Sequence, residues 1–311
     1  MIADFTLFSG TANRDLAIAI ARQLGVPLGN CTIRRFPDSE VSVQLDRSVR
    51  GQEVFIVQPT SPPVDENLLE LLAFADACRR AAADRITAIV PYFGYARSDK
   101  RHGERQAIMA SLVAELMQTA GIDRLITVDL HAAQIEGFFR IPVDSLNATP
   151  TLYQALRDRT PSETVVVSPD SGRIPMAIEF AQRLGTTVAV LHKQRQSDIE
   201  TTVTHVVGDV RDKTCLIVDD MITTGGTIAT SIEALLAAGA KPRISVAATH
   251  GLFVKDALTK LDREELHEIF VTDTVSVRQQ DFPKLQVVSI APCIAEAIQT
   301  MMGREANCDP N

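Results

Sequence analysis

The stretch that most constrains this chain is Cys215-Leu-Ile-Val-Asp-Asp-Met-Ile-Thr-Thr-Gly-Gly-Thr227, followed by an alanine-rich segment up to Gly239. Residues 215–218 form a short apolar run rich in β-formers, the kind buried on both faces of a parallel sheet. Helical spacing then takes over, with Ile228, Ile232, Leu235 and Leu236 on one face, Gly239 as a stop and Pro242 beyond it. The unit reads as strand, glycine loop, helix. Backbone N–H groups of residues 224–227 at a helix N-terminus suit a phosphate.

Asp219 and Asp220 change that reading, because two carboxylates beside a bare anion repel it. They make sense for a phosphorylated sugar, whose phosphate takes the amides and whose ribose hydroxyls donate to the carboxylates, directly or through a cation. No Gly-x-x-x-x-Gly-Lys-Ser/Thr and no Gly-x-Gly-x-x-Gly occurs here, so neither a P-loop nor a dinucleotide fingerprint applies. The plain alternative is an ordinary βα turn with a solvated acidic pair.

At 311 residues the chain has room for two domains of ordinary size, and 45% hydrophobic residues let each half bury a core. A net charge of -8 argues against nucleic acid as a partner, so a phosphate site must gather its cations locally. No apolar run reaches the length of a membrane span and no basic stretch precedes an apolar one at the N-terminus, which points away from a membrane and toward the cytoplasm. Five cysteines without Cys-x-x-Cys read as reduced, buried thiols.

Strand-like and helix-like segments alternate, predicting an α/β fold with mostly parallel sheets. Residues 5–8 read as a strand, 16–24 as a helix closed by Gly25, 32–40 as a polar loop, and a later helix is expected to use Ile108, Leu112 and Leu116. An internal repeat is visible: Ala21-Arg-Gln-Leu-Gly25 matches Ala181-Gln-Arg-Leu-Gly185, 160 residues on, and the same offset pairs Arg35 with Arg195. Two similar halves follow, 1–145 and 146–311, with the last helix a candidate to pack back on the first. Gln58-Pro-Thr-Ser-Pro-Pro63 stands where the second half has its acidic glycine loop, so one sugar-phosphate site per chain is expected, in the second half.

Ligands of open parallel sheets bind outside the carboxyl ends of the strands. His131, Asp170, Lys193 and the pair Asp219 and Asp220 all follow apolar strand-like runs. An imidazole, a carboxylate, an ammonium and an acidic pair on one sheet edge look like a phosphoryl-transfer site. Taken singly, His131 also reads as a buried core histidine, Asp170 as a helix N-cap and Lys193 as a surface charge. Residues 194–202 are polar and aperiodic, a closing loop that orders on a ligand and brings cations to the transferred group while excluding water.

The acidic glycine loop resembles the ribose-phosphate loop of the type I phosphoribosyltransferase fold. Over nearly its whole length the chain is similar to the ribose-phosphate pyrophosphokinase family, on Phe36-Pro-Asp-Ser-Glu40, Pro91-Tyr-Phe-Gly-Tyr-Ala-Arg97, residues 128–139 and 141–144, Val167-Ser-Pro-Asp170 and His192-Lys-Gln-Arg195. That resemblance implies two phosphoribosyltransferase-like domains and transfer of the β,γ-diphosphoryl group of MgATP to the 1-hydroxyl of ribose 5-phosphate. It implies that Asp38, Ser39, Glu40, Arg97 and Ser98 contact ATP, with Phe36 stacking on adenine. His131 and Asp170 hold Mg2+, Lys193 is the catalytic cation and Arg195 binds both substrates. Asp219, Asp220, Thr223, Thr224, Gly225, Gly226 and Thr227 bind ribose 5-phosphate. It also implies hexamers built from dimers.

The chain departs from the family's usual pattern in places. Thr223 stands where Asp is common, Ser39 where Gly is frequent and Ser98 where Gln is frequent. Glu104 replaces a serine that helps bind allosteric phosphate, and residues 303–311 lack a serine-rich ending. Weak or altered phosphate activation and ADP inhibition are the expectation. A phosphoribosyltransferase needs neither Lys193-x-Arg195 nor the ATP-type stretches, and a non-catalytic regulatory paralogue predicts damage at Lys193, Arg195, His131 or Asp170, all of which are present.

Overall fold

A computed structural model describes residues 5–101, 103–195, 201–277 and 282–303, with the side chains of 193–195 and 201–204 outside the described part. The chain forms two compact units, one of residues 1–147, 274–276 and 290–311 and the other of residues 148–273 and 277–289.

The first unit runs β1 (Phe5–Ser9), α1 (Arg14–Leu24), β2 (Cys31–Arg35), β3 (Val41–Leu45), β4 (Glu53–Val57), α2 (Val64–Arg80), β5 (Arg85–Val90), α3 (Met109–Ala120), β6 (Arg124–Val128) and β7 (Val143–Leu146). Five strands pair in parallel in the order β1-β4-β5-β6-β7, and β2 and β3 make a separate antiparallel hairpin. The strands are apolar along their length because both sheet faces are covered, and Phe8, Ile56, Leu71 and Phe74 fill one side. The periodicity places Thr32 in a polar loop; it lies instead in β2, whose Cys31 and Ile33 pack on the core while Arg34 faces water. This period of two is half-hidden by the arginines that follow.

Helix α3 corrects another expectation. It buries Ala110, Val113, Ala114 and Met117, while Leu112 and Leu116 are exposed. Its core face is the stripe of Val113 and Met117 with Ala110 and Ala114, one position on from the leucines.

The second unit runs α4 (Thr149–Leu156), β8 (Val165–Ser168), α5 (Ile174–Leu184), β9 (Val188–Arg195), β10 (Thr201–Val207), β11 (Cys215–Ile222), α6 (Gly226–Ala237), β12 (Ile244–Gly251), α7 (Ala257–Leu261), β13 (Leu266–Thr272) and β14 (Leu285–Val288). Its sheet has the order β10-β9-β8-β11-β12-β13-β14, parallel except where β10 meets β9. The final helix α8 (Ala291–Met301) belongs to the first unit and packs on α1.

The repeat is visible in backbone detail. Helices α1 and α5 end at Gly25 and Gly185, both left-handed at φ 67°, and both glycine N–H groups bond back into the last turn. Strand orders also correspond, with β1, β4, β5, β6 and β7 matching β8, β11, β12, β13 and β14.

Candidate active site

Strand β11 is longer than its apolar run. Pairing with β12 continues through Asp219↔Ala248 to Ile222↔Gly251, so Asp219 and Asp220 lie within the strand. They are 7% and 3% exposed, which rules out the solvated pair of an ordinary turn. The Asp220 N–H donates to Asp219 Oδ1 at 2.9 Å. Burial first, then the Asp220 charge, raise the Asp219 carboxyl well above the usual carboxylate range, and the Arg173 guanidinium partly opposes them.

Arg173 is the residue that motif reading missed. Its Nε lies 3.7 Å from Asp219 Oδ1 and 3.5 Å from Asp220 Oδ1, with its side chain 15% exposed. It closes a 3-10 turn, Ser171–Arg173, opened by Asp170, whose Oδ1 accepts from the Gly172 N–H at 2.9 Å. Asp170 thus performs the capping role allowed for it while standing just past β8. The signal in the sequence was a lone arginine three residues after a strand-end acid, too weak to single out.

Beyond β11 the chain turns at Thr223 and Thr224 into Gly225, which caps α6 at φ 73°. Two constraints meet there. A Cβ on Gly225 would lie 3.1 Å from Leu261 Cγ and 3.2 Å from Ala257 O, whereas one on Gly226 would have only Thr224 Oγ1, at 3.7 Å. The Thr223 carbonyl accepts from Val254 and the Gly225 carbonyl from Ala229, which fixes the loop from both ends. The first-turn amides, Gly226 and Thr227 included, have no carbonyl four residues back, and the helix dipole reinforces their positive end. A helix N-terminus, the end of a helix that suits an anion, therefore stands next to a buried acidic pair.

Lys193 and Arg195 lie in β9, and their side chains fall outside the described residues. The expected loop 194–202 is shorter than its polarity suggests. Gln194 pairs with Thr202 and Arg195 with Thr201 in an antiparallel ladder, because Thr201, Thr202 and Val203 are β-branched; residues 196–200 lie outside the described part.

His131 follows β6 in the five-stranded sheet, whereas Asp170, Lys193, Asp219 and Asp220 belong to the seven-stranded one. The single sheet edge expected for these groups is therefore corrected to two sheets; strand-end reading cannot tell which sheet a strand joins. Among the described residues no group of three or more His, Cys, Asp or Glu is arranged to hold a metal by itself.

Phe36, Asp38, Ser39 and Glu40 form the exposed tip of the β2–β3 hairpin, Phe36 at 52% exposure. The tip closes through Phe36 N–H to Glu40 O at 2.9 Å and Ser39 N–H to Phe36 O at 2.8 Å, with Asp38 Oδ1 accepting from Glu40 N–H. Ser39 sits at φ 75°, a left-handed conformation that suits glycine. Arg97 is exposed, and the Ser98 hydroxyl accepts from Met109 N–H at 3.2 Å at the start of α3. Asp99, buried, accepts from Gln134 Nε2, tying this segment to the turn after His131. Glu104 is exposed, and residues 304–311 lie outside the described part.

The fold and the acidic glycine loop define a protein of the phosphoribosyl-pyrophosphate-handling α/β class. Residues 5–121 match the N-terminal domain of ribose phosphate pyrophosphokinase, and residues 197–308 match the phosphoribosyl synthetase-associated domain. The chain is 46% identical over 299 residues to a ribose-phosphate pyrophosphokinase of Thermotoga maritima, covering 95% of this chain and 94% of that one. It is 44% identical to ribose-phosphate pyrophosphokinase A of Dictyostelium discoideum, covering 94% and 93%. The crystal structure of phosphoribosylpyrophosphate synthetase from Mycobacterium smegmatis superposes with a TM-score of 0.90 at 42% identity, covering 96% of this chain and 99% of that one. The chain belongs to the ribose-phosphate pyrophosphokinase family and is a diphosphotransferase.

Proposed function

We propose that the β11–α6 loop holds ribose 5-phosphate while the β,γ-diphosphoryl group of ATP passes to its 1-hydroxyl, giving phosphoribosyl pyrophosphate and AMP. The observation that carries this assignment is the buried Asp219–Asp220 pair directly before a glycine-capped helix N-terminus. The amides of residues 224–227 take the 5-phosphate, with the Thr223, Thr224 and Thr227 hydroxyls beside them, and the two carboxylates accept from ribose hydroxyls. Arg173 offsets their mutual repulsion before the sugar arrives.

Phe36 stacks on adenine, and Asp38, Ser39, Glu40, Arg97 and Ser98 contact the nucleotide. The exposed aromatic ring at a hairpin tip supports this role. Lys193 and Arg195 bring fixed positive charge to the transferred group, where it counts most in the transition state. That transition state is loose and needs little base assistance. Asp219 and Asp220 are both candidates to take the hydroxyl proton.

His131 and Asp170 are the residues assigned to Mg2+. Asp170 fits as an oxygen donor, having spent one carboxylate oxygen on Gly172; Mg2+ prefers oxygen, so the His131 imidazole acts through a bound water or on the nucleotide phosphate. When bound, the ion offsets charge on the diphosphoryl oxygens.

No helix among the described residues is long and apolar enough to cross a membrane. We assign the protein to the cytoplasm and to homohexamers built from dimers, without nucleic acid as a partner. Leu69 on α2 and Leu112 and Leu116 on α3, each at least 40% exposed, supply apolar surface for self-association. With the negative charge of an exposed Glu104 in place of a serine, phosphate activation and ADP inhibition are weak or altered.

The test is an assay with MgATP and ribose 5-phosphate, each omitted in turn. AMP and phosphoribosyl pyrophosphate are expected together only in the complete mixture, and chelation of Mg2+ should abolish both. Binding of both substrates without either product would instead indicate a regulatory paralogue.

A further inference from the structure

The first unit contains a buried carboxylate that the proposed chemistry does not use. Glu70, on α2, is fully buried. Its Oε1 accepts from Thr11 N–H at 2.7 Å and from Gln58 Nε2 at 3.0 Å, and its Oε2 accepts from the Thr11 hydroxyl at 2.7 Å. The packing is close enough that a Cβ on Gly10 would lie 2.2 Å from Gln58 Oε1 and 2.9 Å from Glu70 Oε1. A carboxylate is costly to bury unless it is hydrogen-bonded and paired, and this one has three donors and a cation within reach.

That cation is Arg35. Arg35 Nη2 lies 3.6 Å from Glu70 Oε2, and its Nη1 lies 3.5 Å from Glu66 Oε2, one turn earlier on α2. Nη2 also reaches the Glu66 carbonyl at 3.5 Å. Arg35 is the last residue of β2, immediately before Phe36 at the hairpin tip. The side chains of Cys31, Ile33, Val43 and Leu45 press the base of the hairpin on the core, but the tip beyond Arg35 is exposed. The ion pairs to α2 are its last side-chain anchor along β2.

The internal repeat gives this arrangement a meaning. Hairpin β2–β3 comes between α1 and β4, as hairpin β9–β10 comes between α5 and β11. Arg35 ends its strand as Arg195 ends β9, 160 residues apart. The amide and hydroxyl of Thr11, just past β1, face a carboxylate from the protein itself, at the strand end that corresponds to β8. At the corresponding strand end of the second half, Asp170 Oδ1 accepts from its own turn, whereas in the first half the carboxylate comes from α2.

We propose that Glu70 is a positioning residue for the nucleotide, a built-in carboxylate that holds Arg35 and through it fixes Phe36, Asp38, Ser39 and Glu40. The proposal rests on the assignment of that hairpin tip to ATP. Steady-state kinetics of the full-length protein carrying Glu70→Gln, Arg35→Met or both test it. Each single change is expected to raise KM for ATP by up to about fivefold, the range of a partly exposed ion pair at 3.5–3.6 Å. KM for ribose 5-phosphate should stay within about twofold, and the double variant should be no worse than the poorer single one, as for two residues acting through one contact. Unchanged KM for ATP in Arg35→Met overturns the proposal, as do effects that multiply in the double variant or that raise both KM values together. Arg35, one-third exposed, can be replaced without opening a core cavity, so its variant carries the test if Glu70→Gln fails to fold. Wild-type protein that makes neither AMP nor phosphoribosyl pyrophosphate would overturn the functional assignment, a different result from an active enzyme whose KM for ATP ignores Arg35.

Discussion

Two adjacent glycines in the sugar loop separate folding from binding. Gly225 has φ 73°, and an added Cβ would meet Leu261 and the Ala257 carbonyl at 3.1 and 3.2 Å. A left-handed alanine costs about 1–2 kcal/mol, and pressing α7 aside adds about 1 kcal/mol. The stiffer unfolded chain returns about 0.4–1 kcal/mol. Gly225→Ala should therefore destabilise the second unit by about 2 kcal/mol. Gly226 lies in the first turn of α6 with nothing nearer than 3.7 Å, so Gly226→Ala should be neutral or stabilising by up to about 0.5 kcal/mol. Its methyl group, however, projects beside the amides assigned to the phosphate and should raise KM for ribose 5-phosphate. Urea midpoints of the two variants, with m about 1–3 kcal/mol per molar, should differ by about 1 M. A Gly225→Ala protein as stable as Gly226→Ala would refute the account of the loop.

Three further perturbations probe other parts of the site. Ser39→Gly relieves a left-handed serine at the hairpin tip, worth about 0.5 kcal/mol net after the added chain entropy, and a lowered Tm would show that the strain is not there. Asp219 has its carboxyl pKa raised by burial, so the native state keeps a proton that the unfolded chain releases above about pH 4. Stability from this group is present in full below that pH and is lost as pH rises through the raised value. Asp219→Asn should flatten the decline and stabilise the protein at neutral pH while weakening ribose 5-phosphate binding; an unchanged stability profile would contradict the shift. Lys193→Ala should lower kcat by about 10²- to 10³-fold, about 3–4 kcal/mol, and a kcat equal to that of wild type would remove the charge role.

Much of this architecture is legible in the residues, for physical reasons that can be named. The left-handed caps at Gly25 and Gly185 and the buried face Ile228, Ile232 and Leu235 follow directly from helix periodicity and glycine chemistry. Other features depend on tertiary contacts that no local pattern encodes. The extension of β11 through two aspartates requires β12 beside it and Arg173 above it, neither visible from the strand itself. Helix α3 buries Val113 and Met117 with two alanines and exposes Leu112 and Leu116, and choosing between two apolar stripes on one helix needs the neighbours it packs on. His131 and Asp170 both read as strand-end groups, but sheet membership is decided by pairing far along the chain. The anchoring of Arg35 by Glu70 spans two elements and was invisible in any motif.

The most direct measurement follows the diphosphoryl group itself. ATP radiolabelled on its β phosphorus is incubated with ribose 5-phosphate and Mg2+, and the products are separated. Diphosphoryl transfer moves the label wholly into phosphoribosyl pyrophosphate, with AMP unlabelled and formed in equal amount. Label retained in ADP, or released as free pyrophosphate without a sugar product, would contradict diphosphoryl transfer at this site.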